Sequence, residues 1–239
     1  MPGSCTSGAR YDAGLLQCRG YAAGMLIDSR ELWLAGTNCY VIAPERGGQA
    51  VVVDAPPAPE AIGQLLRTHD LTPVALLLTH AHIDHLGGAG SIARSHGVSA
   101  YLHPDDAWLA ESPEEQLRSL FGMVPSGDYA PPDRYTDLAH EQQLALADVQ
   151  LKVIHTPGHT PGHCCFLHES EGILFSGDQL FAGSVGRTDL PGGDWDTLLA
   201  SMKEQVLALD DGIEVLPGHG PATTIGRERR TNPFLQGLA

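Results

Sequence analysis

The segment "THAHIDHLGG", residues 79–88, places three histidines and one aspartate within six positions: His80, His82, Asp84 and His85. Neutral imidazole and carboxylate groups are ligands that borderline divalent metal ions prefer. The segment follows the apolar run "PVALLL", residues 73–78, which is typical of a buried strand. The sequence therefore predicts a metal-binding loop at the end of a strand, and other parts of the chain must supply the remaining ligands.

Three other apolar strand patterns end in the same kind of residue. They are "LKVIHTPGH", "ILFSGD" and "EVLPGH", which end at His159, Asp178 and His219. Side chains that follow the carboxyl ends of strands can converge in one crevice of an α/β protein. Alternation along an extended segment puts His80 and His82 on one side. Asp84 and His85 then begin the next helix, where they are free to face a second metal ion.

His155 and His163 flank His159, so the sequence leaves each of them open as an alternative ligand. Asp54 ends the strand pattern "VVVD" and is expected to support the site or a turn rather than to bind metal. Cys164 and Cys165 lie in an apolar strand pattern and are predicted to be core residues.

The composition limits the class of protein. The chain has 239 residues, of which 42% are hydrophobic, and this suffices for one large domain. Its formal net charge of −15 disfavours a nucleic-acid partner or an anionic membrane surface, since both require clustered positive charge. No apolar run approaches the roughly 18 residues of a membrane span, and no signal peptide is recognisable. The five cysteines show no CxxC spacing, so a reducing, cytoplasmic setting is expected.

Strand and helix patterns alternate from residue 25 onwards and predict one α/β domain over residues 25–239. Residues 1–24 are rich in glycine, alanine and serine and are predicted to form a loose N-terminal extension. Residues 112–137 are interpreted as a loop-rich insertion near the mouth of the site, with one helix in "SPEEQLRSLFG". The stretch "DWDTLLASMKEQVLAL", residues 194–209, has the spacing of one amphipathic helix.

The seven ligand-type residues, in this order and spacing, resemble the metallo-β-lactamase superfamily. The resemblance implies an αββα sandwich, in which two mixed β-sheets are flanked by helices. It also implies two divalent metal ions, with zinc favoured and iron or manganese compatible. The first ion would be held by His80, His82 and His159, and the second by Asp84, His85 and His219. Asp178 would bridge the two ions, and both Asp84 and Asp178 would take part in catalysis.

The surroundings of the ligands indicate the substrate. β-Lactamases of this superfamily do not keep the bridging aspartate, and its lactonases place a tyrosine where this chain has Phe181. The segments "GSVGRTDLPGGD", residues 183–194, and "LPGHGPATTIGRERRTNPFL", residues 216–235, are similar to short glyoxalase II-like enzymes. This similarity implies hydrolysis of a small 2-hydroxyacyl thioester.

Several questions stay open at this point. The chain ends about twenty residues after His219, so the C-terminal helical domain of longer glyoxalase II enzymes is expected to be absent. That leaves the thiol carrier open.

The main alternative is a persulfide dioxygenase with one iron, because those enzymes also carry a "GRTD" segment. A lactonase and a metal-binding protein without turnover are weaker alternatives. Arg187 is expected to pair with Asp189 or Asp194, or else to meet a substrate carboxylate. The oligomeric state is open.

Overall fold

The structure is a computed structural model that describes residues 19–20 and 25–238. Most of the extension predicted over residues 1–24 therefore lies outside the described residues. The first sheet has seven strands, which lie in the order of the chain: β1 (Arg19–Gly20), β2 (Leu26–Leu32), β3 (Thr37–Ala43), β4 (Gln49–Val53), β5 (Thr72–Leu77), β6 (Ser99–Leu102) and β7 (Tyr135–Asp137). Neighbours are antiparallel from β1 to β4 and parallel from β4 to β7, so the sheet is mixed.

Five helices connect the strands of this first half: α1 (Pro59–Thr68), α2 (Ile83–Leu86), α3 (Ala89–His96), α4 (Ala107–Ala110) and α5 (Pro113–Phe121). Helix α5 confirms the helix expected in "SPEEQLRSLFG". It begins with a proline in its first turn and ends at Gly122, which adopts a left-handed conformation with φ 70°. Both features are common helix boundaries.

The second sheet has six strands: β8 (Gln143–Leu146), β9 (Val149–His155), β10 (Cys164–His168), β11 (Ile173–Gly177), β14 (Glu214–Pro217) and β15 (Thr223–Thr224). Their spatial order is β15-β14-β11-β10-β9-β8, with β11 and β14 parallel and the other neighbours antiparallel. A separate two-stranded ribbon is formed by β12 (Leu180–Phe181) and β13 (Ser184–Val185). Helices α6 (Trp195–Ser201) and α7 (Ile225–Thr231) belong to this half.

Buried side chains form three layers, which confirm the αββα sandwich. Alternate residues of a strand point to opposite faces, so in β4 Val51 and Val53 pack between the two sheets while Val52 packs under the helices. Phe166 and Phe175 of the second sheet belong to the central layer. One outer layer joins the first sheet to α1 and α3, and the other joins the second sheet to α6 and α7.

The helix predicted over residues 194–209 is shorter than expected. Regular α-helix ends at Ser201 and continues as one π-helical turn, Met202–Val206, in which the amide of Leu207 donates to the carbonyl of Met202 at 2.8 Å. The wider turn lets two consecutive side chains, Val206 and Leu207, enter the outer core layer. The apolar residues keep α-helical spacing through this segment, so the sequence pattern could not predict the change from α-helix to π-helix.

The strands that precede the predicted ligands all end at one edge of the sandwich. Strands β9, β11 and β14 run in the same direction, and the backbone joins the sheets at this edge. The amide of Cys164 donates to the carbonyl of Thr79 at 2.7 Å, and the amide of Asn38 donates to the carbonyl of Gly218 at 2.7 Å. The loops after the strands are therefore held close together. In the described part of the chain, no helix is long and apolar enough to cross a lipid bilayer.

Candidate metal centre

Three histidines from two loops form a tight triangle, the first half of the centre. His80 and His82 follow β5, and His159 follows β9. His82 Nδ1 lies 3.0 Å from His80 Nε2 and 2.9 Å from His159 Nε2, and the last two atoms are 3.2 Å apart. All three side chains are buried. The alternation expected after β5 places His80 and His82 on the same side.

Hydrogen bonds on the outer ring nitrogens determine which atoms face the centre of the triangle. His159 Nδ1 donates to the carbonyl of Arg187 at 2.7 Å, so its Nε2 carries a lone pair. Thr79 Oγ1 donates to the carboxylate of Asp54 at 2.9 Å and accepts from His80 Nδ1 at 3.0 Å. His80 Nε2 is therefore also unprotonated. The partners of the outer nitrogens fix the tautomers of His80 and His159 and point their lone pairs at the centre of the triangle, whereas the outer Nε2 of His82 has no hydrogen-bond partner among the described residues.

The second half of the centre contains Asp84, His85, Asp178 and His219. His85 Nε2 lies 3.4 Å from Asp84 Oδ2, 3.3 Å from Asp178 Oδ1 and 3.3 Å from His219 Nε2. His85 Nδ1 donates to Asp54 Oδ2 at 2.7 Å, so its Nε2 faces the cluster. Thr37 Oγ1 donates to Asp84 Oδ2 at 2.9 Å and so holds that carboxylate in place.

Asp178 lies between the two halves. Its Oδ1 faces His85, while its Oδ2 lies 3.5 Å from His159 Nε2 and 3.6 Å from His219 Nε2. The neighbouring chain must leave room for it. A Cβ added at Gly218 would collide with Asp178 Oδ1 and would lie 2.7 Å from His85 Cε1. The "PGHG" segment therefore needs glycine at this position for a steric reason.

The two halves differ in charge. Burial lowers the pKa of His80 well below its ordinary value and lowers that of His82 to about 3, so the triangle is neutral. In the second half, burial would raise the pKa of Asp84 and Asp178, but the charges and hydrogen bonds of the neighbouring histidines, chiefly His85, together outweigh it and lower both values. Burial likewise opposes the charged form of His85, yet the surrounding carboxylates raise its pKa well above the ordinary value.

These donor atoms fit metal ions. Nitrogen ligands about 2.0–2.1 Å from a tetrahedral metal ion lie about 3.3–3.4 Å from one another, which is close to the spacing of the triangle. Facing lone pairs without protons between them repel one another unless a cation lies among them. In the described part of the chain, Asp178 Oδ1 is also a buried oxygen without a hydrogen-bond partner. The His/Asp clusters support a site for two metal ions.

Among the other predicted residues, neither His155 nor His163 joins the cluster. His155 Nε2 donates to the carbonyl of Pro161 at 2.8 Å, and its ring stacks on His103 with centroids 4.0 Å apart. His163 Nε2 accepts from the amide of Asp178 at 3.0 Å, so this histidine positions the backbone of a predicted ligand. Arg187 Nη2 lies 2.6 Å from Asp189 Oδ2, so this arginine makes one of the ion pairs expected from the sequence. Cys164 and Cys165 are buried in the core, as predicted.

Asp106 is a supporting residue that was not predicted from the sequence. Asp106 is fully buried, and its carboxylate accepts from the amide of Ala81 at 2.9 Å, from Thr160 Oγ1 at 2.7 Å and from the amide of Gly162 at 2.6 Å. Ala81 lies between His80 and His82, and Thr160 follows His159. Asp106 therefore joins the two loops that form the triangle. Like the predicted ligands, it follows an apolar strand, in "YLHPDD", and that signal could have identified it.

A cleft of about 450 Å³ opens above the centre. Its lining includes His82, Asp84, His159, Asp178 and His219, together with apolar side chains from α5 and from the ribbon. The insertion over residues 112–137 supplies Leu120 and Phe121, which confirms its expected place near the mouth of the site. The arrangement can bind a small molecule directly over the two halves of the centre.

Comparison with known families gives one match that spans most of the chain. The family described as "Metallo-beta-lactamase superfamily" matches residues 32–219. This range contains all seven predicted ligands.

Individual relatives and solved structures agree with this match. The chain is 40% identical over 199 residues to "Hydroxyacylglutathione hydrolase GloC" of Haemophilus influenzae, covering 83% of this chain and 92% of that protein. It is similar to the crystal structure of BLEG-1 B3 metallo-beta-lactamase, with 39% identity, TM-score 0.80, and 88% and 100% of the two chains covered. It is also similar to TTHA1623 in a di-iron-bound form, with 40% identity, TM-score 0.78, and 87% and 99% covered.

Proposed function

Because the chain belongs to the metallo-β-lactamase superfamily, we propose that it is a metal-dependent hydrolase that cleaves a small 2-hydroxyacyl thioester into a hydroxy acid and a free thiol. The observation that carries the proposal is the position of Asp178 between two groups of converging ligand atoms. The likeness to a relative named hydroxyacylglutathione hydrolase supports the thioester as substrate.

The ligand atoms divide between two ions. His80, His82 and His159 would hold the first ion, Asp84, His85 and His219 the second, and Asp178 would contact both. Zinc suits this His/Asp set, and iron suits it equally, as the di-iron form of a similar structure illustrates. When bound, the two ions would supply an activated water and would stabilise negative charge on the substrate carbonyl oxygen.

The residues of the chain orient this chemistry. Asp84 is ionised, is held by Thr37 and lines the cleft, so it can accept a hydrogen bond from the attacking water. A thiol ionises near pH 8.5, so a thiolate leaves without a dedicated general acid. This agrees with the lining of the cleft, where the described acidic side chains are the predicted ligands Asp84 and Asp178. The cytoplasmic setting predicted from the cysteine pattern suits a reaction that releases a free thiol.

A second candidate function is β-lactam hydrolysis, because one similar structure carries the name B3 metallo-beta-lactamase. The ligand set argues against β-lactam hydrolysis. The resemblance places Asp178 at the bridging position, and β-lactamases of this superfamily do not keep that aspartate. The persulfide dioxygenase reaction remains the alternative with a single iron.

The experiment compares three reactions in protein of known metal content. Thiol release from a lactoyl thioester, cleavage of a chromogenic β-lactam and oxygen uptake with a thiol persulfide are measured side by side. His82→Ala should abolish thiol release, whereas the control His96→Ala, on the exposed surface of α3, should retain it. Oxygen uptake without thiol release, or faster β-lactam cleavage, would replace the proposal with the corresponding alternative. Silence in all three reactions would indicate a protein that binds metal without turnover.

A further inference from the structure

Beside the metal centre lies a second, smaller cavity of about 220 Å³, here called the side pocket. Helices α4 and α5 form one wall and the loop after β13 forms the other. His82, Leu120 and Leu190 line both the side pocket and the cleft over the metal centre. The two spaces therefore adjoin at the first half of the centre, within reach of one small substrate.

The position of the side pocket relative to the centre is fixed by Gln116. Its Oε1 accepts from the amide of Ile83 at 2.9 Å, and its Nε2 donates to the carbonyls of Ala81 and Leu109 at 3.0 and 2.9 Å. These bonds attach α5 to the loop that carries His80 and His82. They also use the polar atoms of Gln116, so its side chain presents mainly its aliphatic part to the pocket.

The chemistry of the walls favours an uncharged, apolar ligand group. The lining includes Leu109, Leu120, Leu190 and Pro191. Among the described residues that line it, the one charged group is Glu115, which would repel an anion. An anionic group placed there would lose hydration without gaining a positive side chain from the described lining.

Apolar side chains also lie near the rim of the cleft. Large apolar side chains stand exposed around it, with relative exposures of 70% for Leu34, 47% for Trp108 and 38% for Phe121. Trp108 lines the side pocket and Phe121 lines the cleft, while Leu34 precedes the lining residue Ala35. Trp108 and Phe121 are thus available to contact apolar ligand surface at the side pocket and the cleft.

We infer that the side pocket binds the acyl chain of the substrate, so that the enzyme prefers a 2-hydroxyacyl group longer than lactoyl. This inference rests on the proposed thioester hydrolysis. The acyl side fits the side pocket better than the thiol side, because carrier thiols bear charged or amide groups that need polar partners. Among the described residues of the pocket wall, the side-chain groups open to such a partner are the hydroxyls of Ser112 and Ser119, the carboxylate of Glu115, the indole N–H of Trp108 and His82 Nε2. The remaining side chains are apolar or, in Gln116, already hydrogen-bonded.

The test varies the acyl chain on one constant thiol. Thioesters of lactate, 2-hydroxybutanoate and 2-hydroxyhexanoate are compared by kcat/KM in metal-loaded protein. Full burial of a methylene group is worth about fourfold, so partial burial over three methylenes should raise kcat/KM by at least about tenfold. Ser119→Phe on α5 fills the side pocket and should abolish this preference. Ser95→Phe, the same substitution on the exposed face of α3, is the control and should retain it.

The outcomes separate the inference from the proposed function. A flat or falling dependence on acyl length in the wild type would overturn the inference while the hydrolase assignment stands, and so would a preference that survives in Ser119→Phe. In a parallel series that lengthens the thiol on a constant lactoyl group, a rise in kcat/KM that Ser119→Phe abolishes would overturn the assignment to the acyl side. If no thioester is cleaved at all, the binding of the free 2-hydroxy acids, measured by calorimetry, tests the role of the side pocket instead. Affinity must rise with chain length in wild type and Ser95→Phe but not in Ser119→Phe.

Discussion

The two halves of the metal centre are built from similar residues but differ in burial and charge. The relative exposures of His80, His82 and His159 are 0%, 5% and 2%, and these side chains are neutral. In the second half the side chains of His219 and Asp84 are 28% and 15% exposed, and carboxylates face histidines of raised pKa. The first half is thus a rigid set of neutral ligands, and the second is a charged set next to solvent.

This difference indicates how the two ions are held. Neutral imidazoles can be buried at modest cost when their outer nitrogens are hydrogen-bonded, as those of His80 and His159 are. The lone pairs of the triangle are then available without loss of a proton. In the second half, a proton shared between histidine and carboxylate competes with the ion. We therefore expect tighter binding in the first half and easier exchange in the second.

The largest effect should follow from removal of the residue that links the halves. Asp178→Ala should lower turnover by more than the roughly 10–100-fold that loss of a supporting partner costs, because a direct ligand is lost. The triangle should keep its ion, so metal analysis should give about one ion per chain instead of two. Undiminished turnover, or two ions per chain, would contradict the position of Asp178 between the halves.

A smaller and more selective effect is expected from Asp106→Asn. The two backbone amides donate to different oxygens of Asp106, so in asparagine one of these amides would face the NH2 group, which cannot accept a hydrogen bond. Zinc affinity of the first half should fall about 10–100-fold, with a stability loss of about 1–3 kcal/mol. Competition with a chelator measures the affinity, and Asp105→Asn at the exposed neighbouring position is the control. Equal losses in both variants would refute a specific role for Asp106.

The halves should also respond differently to acid. The raised pKa values of His85 and His219 mean that these groups bind protons at a higher pH than usual, while His82, with a pKa of about 3, stays unprotonated. As the pH falls, affinity of the second half should drop by about tenfold per pH unit for each proton displaced. Dialysis at decreasing pH, followed by metal analysis, should show a plateau at one ion per chain. Simultaneous loss of both ions would contradict the comparison.

The smallest effect is expected at Arg187. Its carbonyl orients His159, but its side chain pairs with Asp189 at the exposed surface. Exposed pairs contribute about 0–1 kcal/mol, so Arg187→Ala should change the unfolding free energy by less than about 1 kcal/mol. Metal content should not change, because the backbone carbonyl remains. Loss of the first ion in this variant would show that the side chain, and not the carbonyl, supports the triangle.

The strand and helix patterns predicted an α/β fold in which all seven ligand-type residues converge, because each of them follows a strand and strand ends meet at one edge. The resemblance to the metallo-β-lactamase superfamily implied the αββα arrangement. The sequence marked Asp54 as a support and could have marked Asp106, but it could not predict which residues these carboxylates contact. Asp106 and Thr160 are 54 positions apart in the chain, and only the packed loops bring them together. The side pocket could not be predicted from the sequence either. The helix that forms its wall was predicted, but the anchoring of that helix by Gln116 depends on three bonds to distant backbone atoms.

Stepwise titration of metal-free protein tests most directly whether one chain holds two ions with different strengths. Zinc binding is followed by calorimetry while thioester cleavage is assayed at each addition. We predict two resolved steps that total two ions per chain, with a tight first step and full turnover only after the second. A single step that ends at one ion per chain, with full turnover, would contradict the account.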